Sequence, residues 1–94
     1  MIYFNLILFL MSHNHLEANV ILKFATLAPE GTNAMTAMKT IDQEVQEKTG
    51  GRVKFKFYPG GRQGYEKDIV RKIRAGQLHA GGFTGVGLGE LAPE

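Results

Sequence analysis

The alternation of apolar and polar positions changes rhythm several times along this chain, and each rhythm predicts an element. Val20-Ile-Leu-Lys-Phe-Ala-Thr-Leu27 is a short, nearly continuous apolar run rich in β-formers, stopped by Ala28-Pro29-Glu30-Gly31; this is the pattern of a buried strand. Thr32 or Asn33 then caps a helix on which Met35, Met38, Ile41 and Val45 recur at helical spacing, with Lys39, Asp42, Gln43, Gln46 and Glu47 on the other side. Gly50-Gly51 supplies a left-handed stop.

Strict alternation returns in Arg52-Val-Lys-Phe-Lys-Phe-Tyr58, which puts Val53, Phe55 and Phe57 on one face and Lys54 and Lys56 on the other. That is a half-exposed strand at a sheet edge, where lysines discourage stray pairing. After Pro59-Gly60-Gly61 the spacing becomes helical again from about Gln63 to Ala75, with Tyr65, Ile69 and Ile73 in line and Val70 beside them. Leu78-His-Ala-Gly-Gly-Phe-Thr84 is a third, glycine-rich strand.

The order β-α-β-α-β predicts the α/β class with a parallel sheet, because strands joined through amphipathic helices pair in parallel. Such a sheet gathers the strand-end loops 28–32 and 84–89 along its carboxyl edge, where open α/β sheets bind ligands. Three strands with uncovered rims have little stability to spare.

Length and composition narrow the functions this fold can carry. With 94 residues, 44% hydrophobic and 21% charged, the chain is one small globular unit and not a two-domain enzyme. It holds no cysteine, which excludes disulfides and thiolate metal sites. Between Arg52 and Arg74 eight basic residues face only Glu66 and Asp68; the run predicts the solvated side of a sheet and helix, not a nucleic-acid partner.

The first eleven residues, Met1 to Met11, form an apolar run broken only by Asn5. As a helix at ~1.5 Å per residue it would reach about 16 Å, half of a bilayer core. Its length suits the apolar part of an export signal and Leu16-Glu17-Ala18 ends on a small residue, but no Lys or Arg precedes Lys23. Residues 1–19 thus divide off as a candidate signal and linker, and 20–94 as the α/β part. His13 and His15 belong to that polar linker and lack further ligands for a metal.

No catalytic or cofactor-binding constellation is visible. His79 has no nucleophile or acid placed beside it, Glu66 and Asp68 point to different helix faces, and Met35 and Met38 read as core filler. Gly87-Leu-Gly-Glu-Leu-Ala92 satisfies G-x-G-x-x-A, a pattern that binds a dinucleotide only when a strand feeds it and a phosphate-facing helix follows. Here the glycines come after a third strand and Pro93 cuts short the helix that should follow, so a turn at Gly82 to Gly87 is predicted. A small nucleotide-binding α/β domain and a short membrane-associated protein anchored by residues 1–11 stay open as alternatives.

Lys23-Phe-Ala-Thr-Leu-Ala-Pro-Glu-Gly-Thr32, Thr49-Gly-Gly-Arg-Val-Lys-Phe-Lys-Phe-Tyr-Pro-Gly-Gly61, Arg74-Ala-Gly-Gln-Leu78 and Gly82-Phe-Thr-Gly-Val-Gly-Leu-Gly-Glu90 resemble, in order and spacing, the DctP-type solute-binding proteins of tripartite ATP-independent periplasmic (TRAP) transporters. The resemblance spans residues 20–94. It implies the beginning of the first lobe of a two-lobe periplasmic-binding-protein-like fold, with no enzymatic activity and no cofactor or metal. The ligand it implies is a small organic acid, and the partners are membrane subunits driven by an ion gradient. Family members are several times longer, so the resemblance implies an N-terminal fragment, incomplete and inactive by itself, without the arginine that in the family grips the ligand carboxylate.

By the same resemblance the ligand-side residues are Glu30 and Thr32 after the first strand and Thr84, Gly85 and Gly87 after the third. The threonine hydroxyls and glycine N–H groups would donate to a carboxylate. Two departures stand out: Asn33-Ala34 where the family often has Pro-Trp, and His79 where it often has Asp. The first removes an aromatic ring from the ligand side; the second affects only a strand entry. The periplasm is implied as the location if residues 1–19 act as an export signal.

Overall fold

The computed structural model describes residues 19–92. Its elements are β1 (Val20–Thr26), α1 (Asn33–Lys48), β2 (Val53–Tyr58), α2 (Glu66–Arg74), β3 (Ala80–Gly82) and α3 (Gly85–Leu91). The strands form one sheet in the order β2-β1-β3, with both pairings parallel. The α/β class and parallel sheet are as the alternating pattern predicts, and β2 lies at an edge. The candidate signal and the His13–His15 pair lie outside the described residues.

β1 divides the packing between two faces. Ala25 is fully buried with Ile69 and Leu78, against which Tyr58, Ile73 and Phe83 pack. Its neighbour Phe24 turns to the other face, as successive strand residues must, and meets Phe55 and Phe57 edge-on at centroid distances of 6.5 and 5.8 Å. Phe55 and Phe57 stack on one another in turn. Lys54 and Lys56 project outward, exposed.

Thr32 is the residue that caps α1: its Oγ1 accepts from the Met35 N–H at 3.4 Å and its hydroxyl donates to Pro29 O at 2.8 Å. Of the apolar stripe, Met35 is buried, Met38 and Val45 are half-buried, and Ile41 stays exposed. Asp42, assigned by spacing to the polar side, instead faces β2. Its Oδ1 accepts from the Phe55 N–H at 2.7 Å and its Oδ2 from Gln46 Nε2 at 2.8 Å. A carboxylate accepting two donors covers a backbone group on the edge strand, a tertiary contact that helical periodicity does not encode.

α2 begins at Glu66, three residues later than the predicted start, and Tyr65 is its cap residue, 77% exposed, rather than the head of the apolar stripe. The cause is Gly64, whose φ of +98° lies in the left-handed region that breaks a helix. The turn is held by Asp68, which accepts the Tyr65 N–H at 3.0 Å. A Cβ on Gly64 would stand 2.7 Å from that same oxygen. The Tyr65 N–H and, after it, the Arg71 guanidinium at 3.1 Å hold the Asp68 carboxyl below its ordinary pKa.

β3 is shorter than the predicted 78–84 because its beginning is diverted. Leu78 drops into the core, its N–H donating to Lys72 O, while the Lys23 N–H donates to His79 Nδ1 at 2.9 Å and the His79 N–H to Lys23 O at 3.0 Å. An imidazole nitrogen therefore stands in for one carbonyl of the ladder. α3 is a helix where a glycine turn is predicted. Three glycines give Gly85–Leu91 poor intrinsic propensity, and its packing against α2 supplies what propensity withholds.

Candidate functional site

The chain runs from β1 outward to β2, then back across β1 to β3, so the direction of winding reverses between β1 and β3. In open α/β sheets that reversal leaves a crevice at the carboxyl ends of the strands. The crevice is present as a cleft of about 450 Å³, lined by Thr26, Leu27 and Ala28 from the end of β1, Ala34 from the first turn of α1, Glu66 from the first turn of α2, and Gly82, Phe83 and Thr84 after β3. Leu27 also borders a neighbouring trough of about 470 Å³ lined by Gly60, Gly61, Gly64 and Tyr65.

Glu66 is the chemical centre of this corner. It is 6% exposed, and its two carboxylate oxygens accept the backbone N–H and the hydroxyl of Thr84. The tie joins the start of α2 to the residue that caps α3 and fixes how β3 turns into that helix; a buried carboxylate needs such partners. Its neighbour by two positions, Asp68, points away to Tyr65 and Arg71, so the separation predicted for the two carboxylates is observed.

Phe83 is the other organiser. Cβ atoms built on Gly81 and Gly87 would stand 2.7 Å from Phe83 Cζ and 3.0 Å from Phe83 Cγ respectively. The two glycines form a slot for the ring. The G-x-G-x-x-A match now has a structural reading. Gly87 and Gly89 lie inside α3, not in a loop before it, so they cannot cradle a phosphate ahead of a helix N-terminus.

The sequence-derived ligand residues are not all brought together. Thr84 lines the cleft, with N–H and hydroxyl committed to Glu66. Thr32 commits its hydroxyl to the α1 cap, and Glu30 pairs with Lys39 at 2.8 Å on the surface. Gly85 opens α3, and Gly87 is buried beneath Phe83. Sequence reasoning reached Ala28 and Thr84 through the loops 28–32 and 84–89, and missed Thr26, Ala34 and Glu66 as wall residues. Strand order, which brings β3 rather than β2 beside the end of β1 on this side, was the missing signal.

The basic run is spread over separate elements. Lys56 lies over the Tyr58 ring at 5.5 Å, Lys72 Nζ donates to Gln63 O at 2.9 Å, and Arg74 donates to Glu90 O at 2.9 Å. Among the described residues no group of three or more His, Cys, Asp or Glu side chains could hold a metal ion, and no helix is long and apolar enough to cross a membrane.

A parallel sheet, a winding reversal and a cleft whose charged side chain, Glu66, is satisfied from within are the geometry of an open α/β sheet with a crevice at its carboxyl edge. Residues 24–94 match the family of bacterial extracellular solute-binding proteins, family 7 (DctP), and the chain belongs to that family. No curated protein matches the chain.

Solved structures agree. A TRAP periplasmic solute-binding protein from Roseobacter denitrificans, with bound β-D-glucuronate, is 27% identical and superposes with a TM-score of 0.69 over 78% of this chain and 24% of its own. One from Ochrobactrum anthropi, with its C-terminus bound in the ligand pocket, is 28% identical with a TM-score of 0.61 over 65% and 19%. One from Citrobacter koseri, with bound D-glucuronate, is 26% identical with a TM-score of 0.59 over 62% and 19%. The chain thus spans about a fifth to a quarter of the length of these proteins. Solute-binding proteins of this family are periplasmic receptors and not enzymes.

Proposed function

We propose that residues 20–94 form one wall of the ligand cleft of an extracytoplasmic receptor, with residues 1–19 as the export segment and linker. The receptor takes a small organic acid and passes it to membrane subunits that carry it across using an ion gradient. The observation that supports this reading is the cleft at the β1/β3 reversal, formed by a chain whose family relatives bind a sugar acid. Thr84 and Glu66 shape the wall, Thr32 and Gly85 stand at the starts of α1 and α3, and Gly87 makes room for Phe83; Glu30 and Thr32 belong to the loop that follows β1.

One wall does not make a site. No Lys or Arg lines the cleft, and a ligand against a single lobe buries too little surface to offset its lost freedom. Calorimetric titration of the 94-residue chain with D-glucuronate or another small carboxylate is expected to show no binding tighter than about 1 mM, equivalent to roughly 4 kcal/mol. The same lobe joined to a second α/β lobe is expected to bind a small carboxylate in the micromolar range. Micromolar binding by the 94-residue chain alone would contradict the one-wall reading, and a joined receptor that ignores every carboxylate would contradict the organic-acid reading.

A further inference from the structure

We infer that the acid received by this wall has an apolar body, a branched aliphatic or aromatic monocarboxylate rather than a hydroxyl-rich sugar acid. The inference rests on the organic-acid reading above and specifies the part of the ligand that meets this lobe. The apolar side chains that line the cleft are Leu27, Ala28, Ala34 and Phe83, beside Thr26, Glu66 and Thr84. Its polar side chains already hold partners within the lobe: Thr26 Oγ1 accepts the Ala28 N–H at 3.2 Å, and the Thr84 N–H and hydroxyl donate to the two Glu66 oxygens. The strand-end carbonyls are occupied too, Thr26 O by the Gly61 N–H at 3.1 Å and Ala28 O by the Gly60 N–H at 2.9 Å.

Two consequences follow for a ligand pressed into this cleft. A sugar hydroxyl gives up water and meets groups already engaged, which is unfavourable. An alkyl or aryl body gives up only hydration of apolar surface, a gain of about 25 cal/mol per Å². The sole charged side chain on the wall is a carboxylate, so the ligand's own carboxylate points away, toward whatever faces the cleft. Ala34, a methyl group on the first turn of α1, leaves room for a branched body.

The test is a nitrogen-15 NMR titration of the 94-residue chain at millimolar isocaproate and, separately, D-glucuronate. Isocaproate is expected to move the amides of Leu27, Ala28 and Phe83 in a saturable way, at concentrations about tenfold lower than glucuronate requires, the equivalent of burying about two methylene groups. Ala34→Trp fills the cleft and is expected to abolish these shifts, while the amides of Ile69 and Val70 stay in place and report an intact core. Equal or larger shifts with glucuronate, no shifts with isocaproate, or isocaproate shifts that survive Ala34→Trp overturn the inference. None of these outcomes touches the organic-acid reading, which is decided by whether the two-lobed receptor binds any carboxylate.

Discussion

Ile69→Ala is expected to remove about 3 kcal/mol of stability, within the range for deleting a fully buried branched side chain. Ile69 is 0% exposed and joins Ala25 and Leu78 in the core, and its Cγ2 lies 3.1 Å from where a Cβ on Gly81 would sit. It therefore binds the central strand, the α2–β3 connection and the edge strand at one point, and no neighbouring element is free to collapse into the space. A domain of this size has a total stability on the order of 5–10 kcal/mol, so this loss takes a large share. Urea denaturation followed by far-UV circular dichroism measures it; a change below about 1 kcal/mol would show that the site repacks and that Ile69 is not the keystone of the core.

Gly87→Ala and Gly89→Ala are expected to act in opposite directions although they lie two residues apart on one short helix. Alanine favours a helix over glycine by about 1 kcal/mol, and at Gly89 nothing lies within 4 Å of the added methyl, so Gly89→Ala should stabilise. At Gly87 the methyl would press on Phe83 Cδ1 and Cγ and stand 3.1 Å from Glu66 Cβ. Overpacking against a ring costs about 1–3 kcal/mol, which set against the propensity gain leaves a net loss of up to about 2 kcal/mol. In thermal melts that net loss lowers Tm by up to roughly 15 °C, with Gly89→Ala moving it the other way. If both substitutions raise Tm, Phe83 does not depend on a glycine slot.

This contrast also shows what the residues alone disclose. Glycines at 82, 85, 87 and 89 predict a turn, since nothing local says that some of them serve a neighbouring ring. Phe83 reaches its slot only because α2 returns the chain beside β1, and Glu66 meets Thr84 across 18 residues. By contrast, the β-rich run at Val20, the lysine alternation of β2 and the helical spacing of α1 are local patterns, and they predict their elements within a residue or so of the observed bounds. Asp42 and Tyr65 mark the boundary between the two kinds of information: periodicity places one on a polar face and the other on an apolar stripe, and tertiary hydrogen bonding to Phe55 and the Gly64 turn reverse both assignments.

The same division holds for the cleft. Parallel-sheet logic points to the carboxyl edge and to the segments after β1 and β3, and the cleft lies there. Which side chains form its wall depends on strand order and on internal hydrogen bonds. Hence Thr26, Ala34 and Glu66 emerge only from the fold, while the Thr32 hydroxyl is spent on capping its helix.

The central claim, that the ends of β1 and β3 form the ligand wall, is tested most directly by a crystal structure of residues 20–94 joined to a second α/β lobe and grown with a small organic acid. The expected result is an acid in van der Waals contact with Leu27, Ala28 and Phe83, its carboxylate turned toward the second lobe. An acid bound wholly outside this cleft, for instance against the Lys54 and Lys56 face of β2, would contradict it.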